Sequence, residues 1–249
     1  MNQPMPTLIG HRGVASLAPE NTAASIRKAA ELGIDWIELD VTLAGDHSLV
    51  MMHDPTLKRF TREHTRISNL NRAQLETIDA GSWFNKHYAS ESLMFLEETL
   101  ALVKELDLDL NLEIKINPDL SAEKLVEGVL ATPGLSELID NKKLLISSFH
   151  HPALAQVAQA MPDCPLGALY EGMKDDWRTS LVGFNPVSIH CDAGQLTEKR
   201  AADVLKDYPL YCYTVNDTVT LKKLVDMGVI GVFSDRAHAK ELKAVFSDS

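Results

Sequence analysis

Short apolar segments alternate with longer amphipathic segments along most of the chain, and this alternation restricts the fold more than any other feature. Apolar runs of about four to eight residues, bounded by glycine, proline and polar residues, are typical of buried strands. Residues 21–32 have apolar positions at helical spacing and end at Gly33, and residues 153–160, 197–206 and 219–227 repeat the pattern. Alternating strands and helices predict an α/β protein with a parallel sheet. The predicted strands are 7–11, 36–41, 49–53, 110–115, 144–149, 166–170, 187–190, 210–215 and 229–234.

The nine predicted strands are one more than a (β/α)8 barrel contains. The second and third are joined by about seven residues, whereas a parallel crossover needs a dozen or more. We therefore expect residues 49–53 to fold back as an antiparallel hairpin that turns near Gly45 and Asp46 and brings His53 roughly opposite Glu38. The other eight strands then predict a TIM-type (β/α)8 barrel.

Residues 54–98 do not follow the alternation, because they are mostly polar and carry several aromatic side chains. We interpret them as a small insertion after strand two that covers the C-terminal rim of the barrel. With no repeat or linker in the sequence, residues 1–249 are expected to form a single domain.

The charge of the chain argues against two classes of partner. Its 24 basic residues are outnumbered by 35 acidic ones, which gives a net charge of −11, and no basic run exceeds two residues. Nucleic-acid binding normally requires a basic surface, and so does adsorption to an anionic membrane. A small-molecule substrate is therefore expected, and an anionic one would need a local group of positive charges.

The compartment is predicted from the cysteines and the N-terminus. The three cysteines have no metal-binding or redox spacing and are interpreted as reduced structural thiols. The N-terminus lacks the basic and apolar regions of a signal peptide, and no apolar stretch reaches the length of a membrane span. We therefore expect a cytoplasmic protein. A homodimer is compatible with the sequence, which leaves the oligomeric state open.

Three acidic residues lie in predicted strands that are otherwise apolar. Glu38 and Asp40 are two residues apart and share a face of strand two, and Glu113 occupies the equivalent face of the following barrel strand. Inward-facing carboxylates repel one another unless one is protonated or a cation lies between them. An outward orientation is the alternative, which the apolar outer surface of a barrel disfavours. Oxygen ligands favour Mg²⁺ or Ca²⁺ over zinc, so one such divalent cation is predicted here.

Two histidines and two basic residues end the same group of strands. His11 and His53 flank the predicted carboxylate site, and imidazoles can act as general acid and general base near neutral pH. Arg12 and Lys115 supply positive charge suited to phosphate oxygens. Together with a divalent cation, these residue types predict metal-assisted phosphoryl chemistry.

The sequence contains, in this order, the motifs His11-Arg12-Gly13, Pro19-Glu20-Asn21-Thr22, Ile37-Glu38-Leu39-Asp40-Val41, His53-Asp54, Asp79-Ala80-Gly81-Ser82-Trp83, Leu112-Glu113-Ile114-Lys115, Ser147-Ser148-Phe149, Tyr213-Thr214-Val215-Asn216 and Ser234-Asp235-Arg236. In order and spacing these motifs resemble the glycerophosphodiester phosphodiesterase family, and the similarity extends over essentially the whole chain. Residues 175–178 and 187–190 are most similar to the cytosolic bacterial members.

The resemblance implies a phospholipase C-like phosphodiesterase barrel that holds Mg²⁺ or Ca²⁺ on the three carboxylates and uses the two histidines as its acid–base pair. It also implies that Arg12 and Lys115 lie near the phosphate and that the insertion shapes the glycerol end of the pocket. Tyr213 replaces a frequent tryptophan, Ser234 replaces a common threonine, and the hairpin turn 44–47 departs from the usual Lys-Asp-Gly or Thr-Asp-Gly. We expect these differences to alter the aromatic wall and the turn more than the chemistry.

Five further residues are candidates for substrate binding, and each has a structural alternative. Asn21 suits a helix N-cap as well as a phosphate contact. Trp83 could form a glycerol wall or pack within the insertion, and His190 and Tyr213 could face the pocket from their strands. Asn216 follows a barrel strand, where a polar contact or a turn would both be expected.

These observations predict metal-dependent hydrolysis of glycerophosphodiesters, such as glycerophosphocholine and glycerophosphoethanolamine, to sn-glycerol 3-phosphate and an alcohol. Either water or the neighbouring glycerol hydroxyl could attack the phosphate, and the sequence does not assign the acid and base roles. One alternative is a phosphodiesterase that acts on lysolipids in the manner of lysophospholipase D. Another is a catalytically silent binding barrel, which the intact set of polar residues disfavours.

Overall fold

The computed structural model describes residues 5–247, and its centre is a closed sheet of parallel strands. The strands are β1 (Leu8–Gly10), β2 (Trp36–Leu43), β3 (Leu49–Met51), β4 (Asp109–Ile114), β5 (Leu144–Ser148), β6 (Leu166–Tyr170), β7 (Ser188–Asp192), β8 (Leu210–Tyr213) and β9 (Gly231–Ser234). Eight of them, all except β3, pair in parallel, and β1 closes the sheet by pairing with both β2 and β9. The predicted TIM-type barrel is confirmed.

The strand β3 forms the predicted antiparallel hairpin with the end of β2. Met51 lies opposite Val41, and the Met52 amide donates a hydrogen bond to the Asp40 carbonyl. Continued two residues past β3, this register places His53 level with Leu39, between Glu38 and Asp40. The predicted hairpin is confirmed, and His53 lies within one residue of its predicted place.

Helices surround the barrel, and most connections between strands are helical as predicted. The helices are α1 (Ala23–Glu31), α2 (Lys58–Thr61), α3 (Arg72–Leu75), α4 (Leu96–Glu105), α5 (Ala122–Ala131), α6 (Leu135–Asp140), α7 (His151–Ala160), α8 (Glu198–Val204), α9 (Thr218–Asp226) and α10 (Lys240–Ser247). Three 3₁₀ turns add Ile67–Asn69, Lys86–Tyr88 and Trp177–Leu181. The connection from β6 to β7 has only the last of these, because Gly172, Gly183 and Pro186 interrupt it.

The insertion lies between the hairpin and α4 and contains α2, α3 and two of the 3₁₀ turns. Since α4 begins at Leu96, the insertion ends at residue 95 and not at 98 as predicted. It has a small apolar cluster of its own, in which Leu57, Ile67, Leu75 and Phe95 are buried. This cluster fixes the polar loops above the barrel rim.

The apolar residues of the barrel divide into two groups. The outward faces of the strands, such as Ile37, Leu39 and Val41 of β2, are buried against the helices. Inside the barrel, Ile9, Leu145, Tyr211 and Phe233 form a separate cluster. Among residues 5–247, no helix is long and apolar enough to cross a membrane.

A pair of glycine substitutions tests the packing inside and outside the barrel. A Cβ at Gly167 of β6 would lie 2.6 Å from the His190 ring, so Gly167→Ala is expected to cost about 1–3 kcal/mol of stability. A Cβ at Gly128, within α5, would meet Leu49 at 3.4 Å, an ordinary contact, so Gly128→Ala is expected to stabilise the protein by about 0.5–1 kcal/mol. Urea unfolding measures the change in the free energy of unfolding for each variant. Equal changes for Gly167→Ala and Gly128→Ala would contradict the described position of His190.

Candidate active site

Three carboxylates lie together inside the C-terminal end of the barrel. Asp40 and Glu113 are direct neighbours in the register of β2 and β4, and Glu38 lies on the same face of β2. All three are at least 94% buried, and one oxygen from each lies within 4.8 Å of the others. The structure thus brings together the residues that the sequence predicted as metal ligands.

The burial of these carboxylates alters their proton affinities unequally. Burial, together with Asp40 and Glu113, raises the pKa of Glu38 well above its usual range. Burial and Asp40 raise the pKa of Glu113 to about 7. Burial would also raise the pKa of Asp40, but Lys115 and Arg12 outweigh it and hold that pKa below its ordinary value. Without a bound cation, the site therefore retains protons near neutral pH.

Two cationic side chains, Lys115 and Arg12, contact the three carboxylates. The Lys115 Nζ atom lies 2.6 Å from Glu113 Oε1 and 3.5 Å from Asp40 Oδ1. The Arg12 Nε atom lies 3.4 Å from Asp40 Oδ2, and the Arg12 backbone amide donates a 3.0 Å hydrogen bond to Glu38 Oε2. Burial lowers the pKa of Arg12, but the carboxylates around it raise that pKa by more, so the guanidinium stays charged.

The donor set fits a hard divalent cation. Glu38 Oε1 is buried and accepts no hydrogen bond from the described residues, although a buried carboxylate oxygen ordinarily has a partner. Three carboxylates supply oxygen ligands only, which suits Mg²⁺ or Ca²⁺ better than zinc. These residues could hold one metal ion.

His11 follows β1 and is oriented by a carboxylate from the far end of the chain. Its Nδ1 atom lies 2.7 Å from Asp235 Oδ1, while its Nε2 atom lies 3.9 Å from Glu38 Oε2. Burial raises the pKa of Asp235, but the hydrogen bond and charge of His11, the Asn216 hydrogen bond and the charge of Arg12 together outweigh it and hold that pKa below its usual range. Asp235 is therefore an ionised acceptor, and the Nε2 atom of His11 is left free for the site. The Asn216 amide fixes Asp235 by donating to its Oδ2 atom at 2.7 Å.

His53 has an equivalent arrangement on the opposite side of the site. Its Nδ1 atom lies 2.8 Å from Asp54 Oδ1. The hydrogen bond from His53 holds the pKa of Asp54 well below its usual range. Both histidines therefore direct Nδ1 toward an ionised carboxylate, and this leaves both Nε2 atoms available to a bound molecule.

A cavity of about 240 Å³ connects these groups. Its lining includes both histidines, Glu38, Glu113, Arg12 and Lys115. The remaining wall is more apolar and is formed by Phe149, Leu169, Tyr213, Thr214 and Phe233, with Asn111 and His190 also in the lining. Burial lowers the pKa of His190 to about 3, so its imidazole is neutral. The cavity therefore has a charged side and a largely uncharged side.

Three of the five candidates for substrate binding lie outside the cavity lining. The N-cap of α1 is Thr22 and not Asn21, whose side chain instead bonds both the amide and Oδ2 of Asp40 at 3.0 Å. Asn21 is thus a support for a carboxylate, because its positive φ of 57° turns it inward before the helix begins. Trp83 packs in the insertion and donates to the Ala80 carbonyl at 2.7 Å. Asn216 contacts Asp235 and so reaches the site only through that carboxylate.

Sequence reasoning assigned no role to the carboxylates that orient the histidines. Asp54 directly follows His53, and an acidic neighbour of a candidate acid–base group is a signal that could have identified it. Asp235 is 224 positions away from His11, but it follows β9 at the same rim. Applying the strand-end rule to the last strand as well as the first would have selected it.

The raised carboxyl pKa values predict how pH affects the metal-free protein. An unfolded glutamate ionises near pH 4.5, whereas Glu113 in the folded protein ionises near 7, so the folded state binds more protons between these values. The free energy of unfolding is therefore expected to fall as pH rises from 5 to 8, by up to about 3 kcal/mol from this residue. Urea unfolding in EDTA measures the slope, and an unchanged slope in Glu113→Gln would contradict this assignment.

Comparison with known proteins places the chain among phosphodiesterases. The sequence profile of the Glycerophosphoryl diester phosphodiesterase family matches residues 11–239. A glycerophosphodiester phosphodiesterase of Caldanaerobacter subterraneus is 30% identical over 92% of this chain and 93% of its own length. Another from Bacillus subtilis is 28% identical over 91% of this chain and 82% of its length.

The solved structure of an Oleispira antarctica phosphodiesterase, in complex with the product sn-glycerol-3-phosphate, is also similar. It superimposes with a TM-score of 0.85 at 29% identity and covers 98% of both chains. The similarity of sequence and of fold extends over nearly the whole chain, and the protein is a phosphoric diester hydrolase. The chain belongs to the glycerophosphoryl diester phosphodiesterase family.

Proposed function

We propose that this protein hydrolyses glycerophosphodiesters, such as glycerophosphocholine and glycerophosphoethanolamine, to sn-glycerol 3-phosphate and an alcohol, with Mg²⁺ or Ca²⁺ as its single cofactor ion. One observation carries the proposal. Two histidines, each oriented through Nδ1 by an ionised carboxylate, flank a three-carboxylate cluster in one cavity. This arrangement combines the groups that phosphodiester hydrolysis needs.

The two histidines are proposed to move the protons of the reaction. One imidazole accepts the proton of the attacking hydroxyl or water, and the other donates a proton to the leaving alkoxide. Asp235 and Asp54 support both roles, since each fixes the ring orientation and stabilises the charged imidazolium. Because the His11–Asp235 and His53–Asp54 pairs are alike, either histidine could be the general acid and the other the general base.

Arg12 and Lys115 are proposed to bind the phosphate. They are the cationic side chains in the cavity lining, and both already contact the carboxylate cluster. A divalent cation on Glu38, Asp40 and Glu113 would supply further stabilisation of charge on the phosphate oxygens. Together these charges explain how an acidic protein could attract an anionic substrate.

The uncharged side of the cavity is proposed to receive the organic part of the substrate. Phe149 and Tyr213 pack edge to face with centroids 5.8 Å apart, and His190 of β7 is neutral and fully buried. The product sn-glycerol-3-phosphate in the Oleispira antarctica phosphodiesterase supports a glycerol phosphate group as the ligand of this cavity. Trp83 packs on the insertion outside this lining.

Activity on lysolipids is the second candidate function. Phe149 is 40% exposed at the cavity wall and Trp83 is 37% exposed on the insertion, so some apolar surface lies near the site. Phe149 lines the cavity but Trp83 does not, and the cavity of about 240 Å³ is small for an acyl chain. We therefore prefer the water-soluble substrates.

The proposal is tested by release of glycerol 3-phosphate from glycerophosphocholine, with lysophosphatidylcholine assayed beside it. We expect the water-soluble diester to be the better substrate by kcat/KM. Preference for the lysolipid would favour the second function. No hydrolysis of any glycerophosphodiester, by protein shown to bind the cation, would contradict the proposed function and favour a silent barrel.

The cytoplasmic location and a homodimer stay predictions from the sequence. Cell fractionation tests the first, and sedimentation velocity tests the second. A monomer at all concentrations would contradict the dimer without affecting the proposed site, because all the residues of that site come from one chain.

A further inference from the structure

A chain of alternating charges links the insertion to both sides of the candidate site. Arg59, in α2 of the insertion, donates from Nε and Nη2 to Asp54 Oδ2 at 3.0 and 2.9 Å. Its third nitrogen, Nη1, donates to Glu20 Oε2 at 2.6 Å. The other oxygen of each carboxylate faces the site, because Asp54 Oδ1 bonds His53 and Glu20 Oε1 bonds Arg12. One guanidinium therefore holds two carboxylates, each of which holds a residue of the cavity.

We propose that Arg59 is a positioning residue, which fixes the orientation of His53 through Asp54 and links it to Arg12 through Glu20. The inference rests on the proposed function, in which His53 is an acid–base group and Arg12 binds phosphate. The insertion then has a role in the orientation of these residues, in addition to its predicted role in shaping the pocket.

The geometry of Arg59 suits this role. A guanidinium is a rigid planar donor, so two bonds to one carboxylate oxygen and one to a second carboxylate fix the relative orientation of both acids. Two residues before Arg59, Leu57 anchors this segment, because it is 3% exposed in the apolar cluster of the insertion and its amide donates to the Thr65 carbonyl. The Asp54 side chain, at 30% exposure, would otherwise be free to rotate with its histidine.

The other histidine provides an internal comparison. Asp235, which orients His11, is fixed by Asn216 and by a hydrogen bond from its own backbone amide to Asn216 Oδ1. Both carboxylates thus have an anchor on the oxygen that does not touch histidine. For Asp235 this anchor is a neutral amide on the barrel rim, and for Asp54 it is a cation on the insertion.

The test compares Arg59→Gln with Lys58→Gln, which removes the same charge from the preceding, exposed position of the same helix. With glycerophosphocholine and saturating cation, we expect Arg59→Gln to lower kcat by about 10- to 100-fold, as losses of supporting hydrogen bonds typically do. KM should change much less, because Arg12 keeps its contact with Glu20. Lys58→Gln should remain within about twofold of the wild type, and Arg59→Lys should lie between, because lysine keeps the charge but lacks the planar fork.

A second readout does not depend on activity. In protein labelled with ¹⁵N-histidine, the His53 ring is identified by its absence from His53→Gln, and its nitrogen shifts report which nitrogen carries the proton. We expect the Nδ1–H form in the wild type and a mixture of forms in Arg59→Gln. Folding of each variant is checked by its thermal transition.

The outcomes separate the two proposals. If the wild type hydrolyses the diester but Arg59→Gln keeps both its kcat and its His53 spectrum, the role of Arg59 is overturned and the proposed function stands. If the wild type is inactive, the proposed function fails, and the His53 spectrum still decides whether Arg59 orients the ring.

Discussion

Replacing His11 by glutamine is expected to lower kcat for glycerophosphocholine by about 10²- to 10⁴-fold, the usual contribution of a general acid or base. Glutamine keeps a polar side chain of similar size but cannot exchange a proton at the Nε2 position. KM should change less than kcat, since the charges proposed to bind phosphate belong to Arg12 and Lys115. Steady-state kinetics at saturating cation measures both values.

The same substitution at two other histidines provides the controls. His53→Gln should cause a loss similar to that of His11→Gln, because its ring has the equivalent carboxylate partner. The two losses should not add fully in the double variant, since residues that act in one mechanism are not independent. His64→Gln, at an exposed position of the insertion, should have no effect. If His11→Gln retained near wild-type kcat, the acid–base pair would have to be reassigned.

Removal of the divalent cation is expected to have the other large effect. EDTA should lower activity by about 10²-fold or more, since a metal contributes several kcal/mol of charge stabilisation in the transition state. Mg²⁺ or Ca²⁺ should restore it, and titration with each ion identifies the one that the site prefers. Activity that survives complete removal of the cation would contradict the metal-dependent reaction.

The cation should also stabilise the folded protein, and this effect does not depend on catalysis. At a cation concentration about 100 times Kd, the free energy of unfolding should rise by about 2.7 kcal/mol. Glu38→Gln should abolish the stabilisation by the cation. Without the cation, the free energy of unfolding of this variant at pH 8 should be at least as large as that of the wild type. The reason is that burial and two carboxylate neighbours already oppose ionisation of Glu38.

Glu127→Gln is the matched control for this substitution, because Glu127 is exposed on α5 far from the carboxylate cluster. It should keep the full response to the cation in calorimetry and in thermal unfolding. A Glu38→Gln protein that binds the cation as tightly as the wild type would exclude Glu38 as a ligand.

The barrel and the central part of the site were predictable because they depend on local patterns. The connection after β2 is too short for a parallel crossover, and this predicts that β3 is the second strand of an antiparallel hairpin. The alternation of acidic and apolar residues in β2 and β4 identified which side chains face inward. Such inferences need only the two-residue period of a strand and the rule that polar groups gather at strand ends.

The supporting contacts were less predictable, because each depends on where a rigid loop places a short side chain. Asn21 has the sequence context of a helix N-cap, but Thr22 is the residue that caps α1. The left-handed backbone conformation of Asn21 directs its side-chain amide to Asp40 instead. Trp83 is an aromatic residue of the kind that often forms a pocket wall. In the structure it packs against Phe60 of the insertion and does not line the cavity. A change of one residue in such loops would redirect these side chains without changing the strand pattern.

The sequence by itself determined the class of fold and the chemical types that meet at the barrel rim, because period-two strands and strand-end polarity are properties of neighbouring residues. Only the tertiary structure decided that Asp235 is the carboxylate that orients His11. His11 and Asp235 meet because the first and last strands close the barrel, and Arg59 reaches Glu20 across 39 positions because the insertion folds back over the rim. Contacts between residues so distant in sequence are set by the closure of the sheet and the packing of the loops, which no local pattern encodes.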